Sequence, residues 1–189
     1  MKSLCFVLAI ALLSLSLAVA QSDAHQSSAP PAEPKPGTQS DAQQSFDKLK
    51  TLAGAWEGIL TTVPPEPDVD GKVAQVSLRV TSSGNAITHE ATSPARPDDP
   101  LTVLYVDGDR LLLTHYCDAG NRPRMAGKPS LDGKTVEFDF LDLSGGNEYG
   151  HMHHAVFTMI DDNHHTEEWT YMMPGDKPVR AHFDLSRKK

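Results

Sequence analysis

From Ala55 onward the chain reads as short runs in which apolar and polar side chains alternate with a period of two, the pattern of strands with one buried face. Ala74, Val76, Leu78 and Val80 alternate with Gln75, Ser77 and Arg79; Val136, Phe138 and Phe140 alternate with Glu137 and Asp139; Val179, Ala181, Phe183 and Leu185 alternate with Arg180, His182 and Asp184. The apolar sets are expected to point inward. About ten strands are predicted: Ala55–Thr62, Lys72–Thr81, Asn85–Thr92, Leu101–Asp107, Arg110–Cys117, Arg122–Ala126, Thr135–Leu143, His151–Asp161, His165–Met173 and Val179–Arg187. Turn signals at Ser83-Gly84, Asp107-Gly108 and Asp132-Gly133 make neighbours antiparallel. The predicted fold is therefore all-β, an up-and-down antiparallel barrel, since closure leaves no exposed edge. Ser45 is placed to cap a short N-terminal helix carrying Phe46, Leu49, Lys50 and Leu52, which Gly54 ends.

The same parity assigns faces to chemically interesting residues. The hairpin across Asp107 to Arg110 places Leu104 and Val106 on the face of Leu111 and Leu113 in either of its registers, and His115 and Cys117 continue that face. His89, with Ile87 and Ala91, shares the face of Leu78 and Val80. Around Asp162-Asn163 two outcomes stay open. A two-residue loop puts Phe157 and Met159 with Glu168 and Thr170, whereas a three-residue loop puts them with Glu167 and Trp169. In both cases Glu167 and Glu168 face opposite ways, which removes them as a paired acid and base.

The ends carry a different composition. Met1 to Ala20 has one Lys, an apolar run from Leu4 to Leu17 broken only by serines, and Ala18-Val19-Ala20, the plan of a signal peptide cleaved after Ala20. Residues 21–44 are rich in Ser, Ala, Gln and Pro with almost no large apolar side chain, and read as a flexible linker. The folded domain is expected over 45–189, extracytoplasmic, periplasmic or secreted. Cleavage removes Cys5 and leaves Cys117 alone, so no intrachain disulfide can form. It also leaves 16 Lys and Arg against 25 Asp and Glu, a net charge near −9, which argues against nucleic acid or an anionic membrane as partner.

Leu52 to Gly58 with its Gly54-Ala55-Trp56 entry, the strand count, Asp107-Gly108-Asp109 and the closing Phe183-Asp184-Leu185-Ser186-Arg187 together resemble secreted bacterial lipocalin-like domains of unknown function. The wider relatives are lipocalins, fatty-acid-binding proteins and nitrobindins. Thr114-His115-Tyr116-Cys117, the stretch Ala119 to Met125 and Gly150-His151-Met152-His153 are its most specific parts. The resemblance implies a cavity for a small apolar or amphipathic molecule. It also implies that a late Arg, here Arg187, covers the entry Trp56, a cation–π contact of about 0.5–2 kcal/mol. The nitrobindin comparison implies haem on a His near the last strand, for which only His182 is available, out of phase with the inward set.

The expected ligand site comprises His115, Cys117, Asn121, Arg124 and His153, polar groups in or at the mouth of an apolar cavity. Arg124 could bind a ligand carboxylate through its planar fork, or pair with an Asp at the surface. His151 and His153 share a face and, with His115, form a candidate metal set. The plainer readings are a hydrogen-bonded barrel histidine, a small buried thiol and a polar rim. Residues two apart on a strand have Cα atoms roughly 6–7 Å apart, so His115 is poorly placed to activate Cys117. No catalytic signature is complete, and binding protein, metal or haem protein, enzyme and structural barrel all remain readings of this pattern.

Overall fold

The computed structural model describes residues 39–93 and 100–189. The expected signal peptide, 1–20, and the expected linker as far as residue 38 lie outside the described residues. Helix α1 (Asp41–Lys50) starts before the expected boundary because Ser40 caps it, its Oγ accepting the Gln43 N–H at 3.2 Å. Ser45 sits inside the helix, with its hydroxyl donating to the Asp41 carbonyl at 2.7 Å. Ala42, Phe46 and Leu49 recur on one face and are buried.

Ten strands follow: β1 (Gly54–Val63), β2 (Lys72–Thr81), β3 (Ala86–Thr92), β4 (Leu101–Asp107), β5 (Arg110–Tyr116), β6 (Arg122–Pro129), β7 (Thr135–Ser144), β8 (His151–Asp161), β9 (His164–Met173) and β10 (Lys177–Arg187). Each pairs antiparallel with its neighbour in sequence, and β10 closes the barrel on β1 from Trp56 opposite Arg187 to Val63 opposite Arg180. The up-and-down barrel expected from the alternation is the observed fold.

The barrel is solid in the half nearest α1. Phe46, Leu49 and Leu52 pack with Trp56, Ile87, Leu104, Leu111, Leu113, Met125, Phe138, Phe157 and Leu185 in one buried cluster. Each such side chain contributes about 1.5–3 kcal/mol by leaving water. The helix packs against β4, β5 and β6, and Lys48 Nζ donates to the Gly133 carbonyl between β6 and β7 at 2.9 Å.

Trp56 and Arg187 meet as the resemblance implied. The guanidinium carbon lies 4.1 Å from the ring centroid. Arg187 also donates to the carbonyls of Thr51, Ala53 and Asp162 at 2.8–2.9 Å, and the Trp56 indole donates to Leu52 O at 2.8 Å. A Cβ on Gly54 would stand 2.6 Å from Arg187 Nη1, and Gly54 has φ +140°. The Gly-x-Trp entry is thus a seat for Arg187.

Four departures displace the simple parity. Leu141 is passed over as Arg124 pairs with Asp142 and Met125 with Phe140. β7 and β8 pair only from Thr135–Thr158 to Asp139–His154, and where they part Phe140 leaves the core to stack half-buried on His153, with ring centroids 5.0 Å apart. Val80, at the end of β2, is likewise outside the buried set. Between β8 and β9 the turn is Asp162-Asn163, but the register shifts between Met159 and Asp161, so a two-residue loop plus one extra residue gives the faces of a three-residue loop. Phe157, Glu167 and Trp169 consequently point into the barrel. No helix among the described residues is long and apolar enough to cross a membrane.

Candidate ligand cavity

Away from α1 the barrel holds an open cavity of about 780 Å³. Its walls are mainly small or apolar side chains, including Leu60, Ala74, Ala91, Met152, Ala181 and Phe183, with Tyr149 and Tyr171 also lining it. Its inner end carries His89, Thr102, His115 and Trp169. Among the described lining residues none is Lys or Arg, whereas Glu66 and Asp118 are both present.

His115 on β5 lies opposite Thr102 on β4, and this pairing brings His115 Nδ1 to 2.8 Å from Thr102 Oγ1. Burial holds the His115 imidazole down at about 4; the charge of His89 adds to this, and Asp118 opposes it. His115 is therefore neutral at pH 7. Cys117 follows on the same wall, with its thiol donating to Asp118 Oδ1 at 3.5 Å.

A buried carboxylate sits just behind the inner end. Glu167 on β9 is wholly buried, and its oxygens accept from His89 Nε2 at 2.8 Å, Trp169 Nε1 at 2.9 Å and His165 Nε2 at 3.0 Å. Burial pushes its pKa up, but the charge of His89 and the hydrogen bonds from His165 and His89 outweigh that and leave it below the usual carboxylate range. Trp169 stands between two imidazoles, its ring 5.3 Å from that of His89 and 5.9 Å from that of His115. Glu167 was the residue that sequence alternation left on either of two faces; the extra residue near Ile160 decides its side.

Of the five expected ligand residues, the structure brings His115 and Cys117 to the cavity. The other three lie elsewhere. Asn121 is buried, but its Nδ2 donates to the carbonyls of Gly146 and Gly150 at 2.9 and 2.8 Å and so ties down the β7–β8 loop. Arg124 is exposed on the wall and makes a two-pronged contact with Asp142, which raises its pKa. The surface pairing, not the ligand fork, is what its position on β6 provides. His153 lines a second groove with Asp139, Phe140, His154, Glu168 and Arg180 that shares no residue with the cavity.

The expected metal set does not assemble. His151 Nε2 and His153 Nδ1 are 3.0 Å apart and hydrogen-bonded, His151 Nδ1 faces Asn147 Oδ1 at 2.8 Å, and His115 is on the cavity wall with Thr102. Burial and then the charge of His153 lower the His151 pKa. Among the described residues Glu137, Asp139 and His154 are the only group of three whose ligand atoms all lie within 4.8 Å of one another. Haem does not fit at His182 either: it is half-buried outside the cavity, with Nδ1 3.7 Å from Glu168 Oε1.

No family model and no curated protein matches the chain. Among solved structures it is similar to a protein of unknown function from the DUF3598 family of Nostoc punctiforme, with 11% identity and a TM-score of 0.53 over 74% of this chain and 48% of that one. This chain thus spans about half the length of that protein. An S-type phycobiliprotein lyase of Guillardia theta aligns over 80% of this chain and 99% of its own at 7% identity, with a TM-score of 0.40. The Nostoc likeness speaks for the fold alone, and the second carries no further argument.

Proposed function

We propose that this chain is an extracytoplasmic binding protein that holds a small apolar or amphipathic molecule in its barrel. The observation that carries this reading is the cavity of about 780 Å³, open at one end, apolar along its walls and furnished at its inner end with a few convergent polar groups. Small-molecule sites generally have that volume and that division of labour, with apolar area giving affinity and a few polar groups giving orientation. A purely structural barrel of this size would fill its interior with side chains along its whole length. The packing of this interior stops at the layer of His89, Trp169 and His115.

The extracytoplasmic part rests on the N-terminal pattern of Met1 to Ala20. Native mass spectrometry of the protein purified from its secreting host tests both halves. The expected result is a chain beginning at Gln21 that retains a small-molecule mass under gentle desolvation. A full-length chain beginning at Met1 overturns the export reading, and a clean mass that accepts no apolar probe overturns the binding reading.

A further inference from the structure

We propose that the inner end of the cavity selects ligands with a neutral carbonyl head, such as ketones, aldehydes or esters, and discriminates against carboxylates; this rests on the binding reading above. Glu167 is a fully buried carboxylate, and a buried charge needs a counter-charge in contact with it. Two imidazoles touch it, those of His89 and His165.

His165 cannot be the cation. Its Nε2 donates to Glu167, while its Nδ1 is sealed in the core without a hydrogen-bond partner, beside Trp56, whose ring lies 4.2 Å away edge-on. A second proton there would create a buried N–H with nothing to receive it. His165 is therefore the neutral tautomer protonated at Nε2.

The proton belongs on His89. Its Nε2 faces Glu167 from across the barrel, and its ring, 3% exposed, lines the cavity. Among the described residues its Nδ1 neither finds a partner nor is sealed off as that of His165 is. A buried imidazolium thus presents one unanswered N–H to the cavity. Beside it His115 is neutral and offers its free Nε2.

Charge decides what that N–H receives. A ligand carboxylate would place a second anion around one imidazolium whose charge Glu167 already balances, with no Lys or Arg among the described lining residues and with Glu66 and Asp118 also on the walls. An ammonium head would meet the imidazolium itself. A hydrocarbon would leave the N–H dry and unpaired. A carbonyl oxygen accepts a charge-assisted bond and leaves the site neutral.

The test uses the mature protein and N-phenyl-1-naphthylamine, a neutral fluorescent probe whose binding reports the cavity. Competition at pH 7 compares 2-decanone, decanoate, decylammonium and decane. The ketone is expected to displace the probe at concentrations about tenfold below the other three, and His89→Gln, which keeps a donor for Glu167, should erase that preference when competition is read against the probe affinity measured for that variant. Probe binding without a preference for the ketone overturns the carbonyl inference and leaves the cavity reading standing. Failure of the probe and all four competitors to bind overturns both. Nitrogen-15 NMR of the wild-type imidazoles decides the proton independently of any variant: His89 should carry two protons and His165 one, and a singly protonated His89 overturns the proposal.

Discussion

His89 Nε2 on β3 and Glu167 Oε2 on β9 lie 2.8 Å apart across the interior, joining walls that are not neighbours in the sheet. Glu167→Leu would strip the charge partner from His89 and leave the N–H groups of His165 and Trp169 unanswered. The expected loss is about 3–5 kcal/mol, as for breaking a buried pair. Joint replacement of His89 and Glu167 by Leu should cost less than the sum of the single changes. Urea unfolding of the three variants at pH 7 measures the coupling; additive losses would show that the pair is not a unit.

Acid should weaken the fold in two steps. For His115 the folded imidazole titrates at about 4, below the unfolded value near 6.5, so between these limits the unfolded chain binds more protons. Stability therefore falls as pH drops from 6.5 to 4, by on the order of 3 kcal/mol from this residue. Glu167, with its pKa lowered, stabilises fully above the unfolded carboxyl value and loses that contribution as pH falls through its folded value. Unfolding free energies measured from pH 8 down to 4 should show the first step, and His115→Gln should flatten it.

The seat of Arg187 should be intolerant of small changes. Arg187→Met removes three donor bonds to carbonyls and the contact with Trp56, and is expected to cost about 2–3 kcal/mol. Gly54→Ala adds a Cβ against Arg187 at a φ that suits glycine, at about 1–3 kcal/mol. Gly58→Ala should be worse, because its Cβ would fall 1.7 Å from the Asp184 carbonyl oxygen, and backbone cannot swing aside as a guanidinium can. Thermal melts of the three single variants should rank Gly58→Ala lowest against Gly54→Ala.

Cavity and surface can be separated by two substitutions. Ala181→Trp projects a large ring from β10 into the cavity and should abolish binding of N-phenyl-1-naphthylamine while the far-ultraviolet spectrum stays that of a barrel. Arg124→Met, on the outer wall, should leave probe affinity unchanged. A drop in affinity for Arg124→Met would place the ligand elsewhere.

Strand order, closure and the inward course of His89, His115 and Cys117 were legible in the sequence because β2 alternates regularly as far as Leu78 and the β4–β5 hairpin gives the same faces in either of its registers. The rest failed where the alternation is broken. The extra residue before Asp161 has no compositional mark, and the register it shifts is what puts Glu167 rather than Glu168 inside. Phe140 obeyed the pattern in sequence but not in space, since β7 and β8 stop pairing at Asp139. The sequence offers Arg124, Asn121 and His153 as polar groups at a cavity mouth beside His115 and Cys117, yet their nearest demands are local: Asp142, two loop carbonyls and Phe140. Ser45 had the right chemistry for a cap, but Ser40 precedes the first apolar position of the helix, Ala42.

The junction of β1 with β10 sets an order of events during folding. Every other strand pair joins neighbours in the chain and can form as a local hairpin; Trp56 with Arg187 joins residues at opposite ends of the domain and carries the largest loop-closure cost. The barrel can therefore zip from hairpin to hairpin as the chain emerges, but it stays an open ribbon with two bare edges until its last strand is available. A chain cut short before Phe183 should retain much of its strand content and lose its solubility, because those two edges then have only each other's copies to pair with.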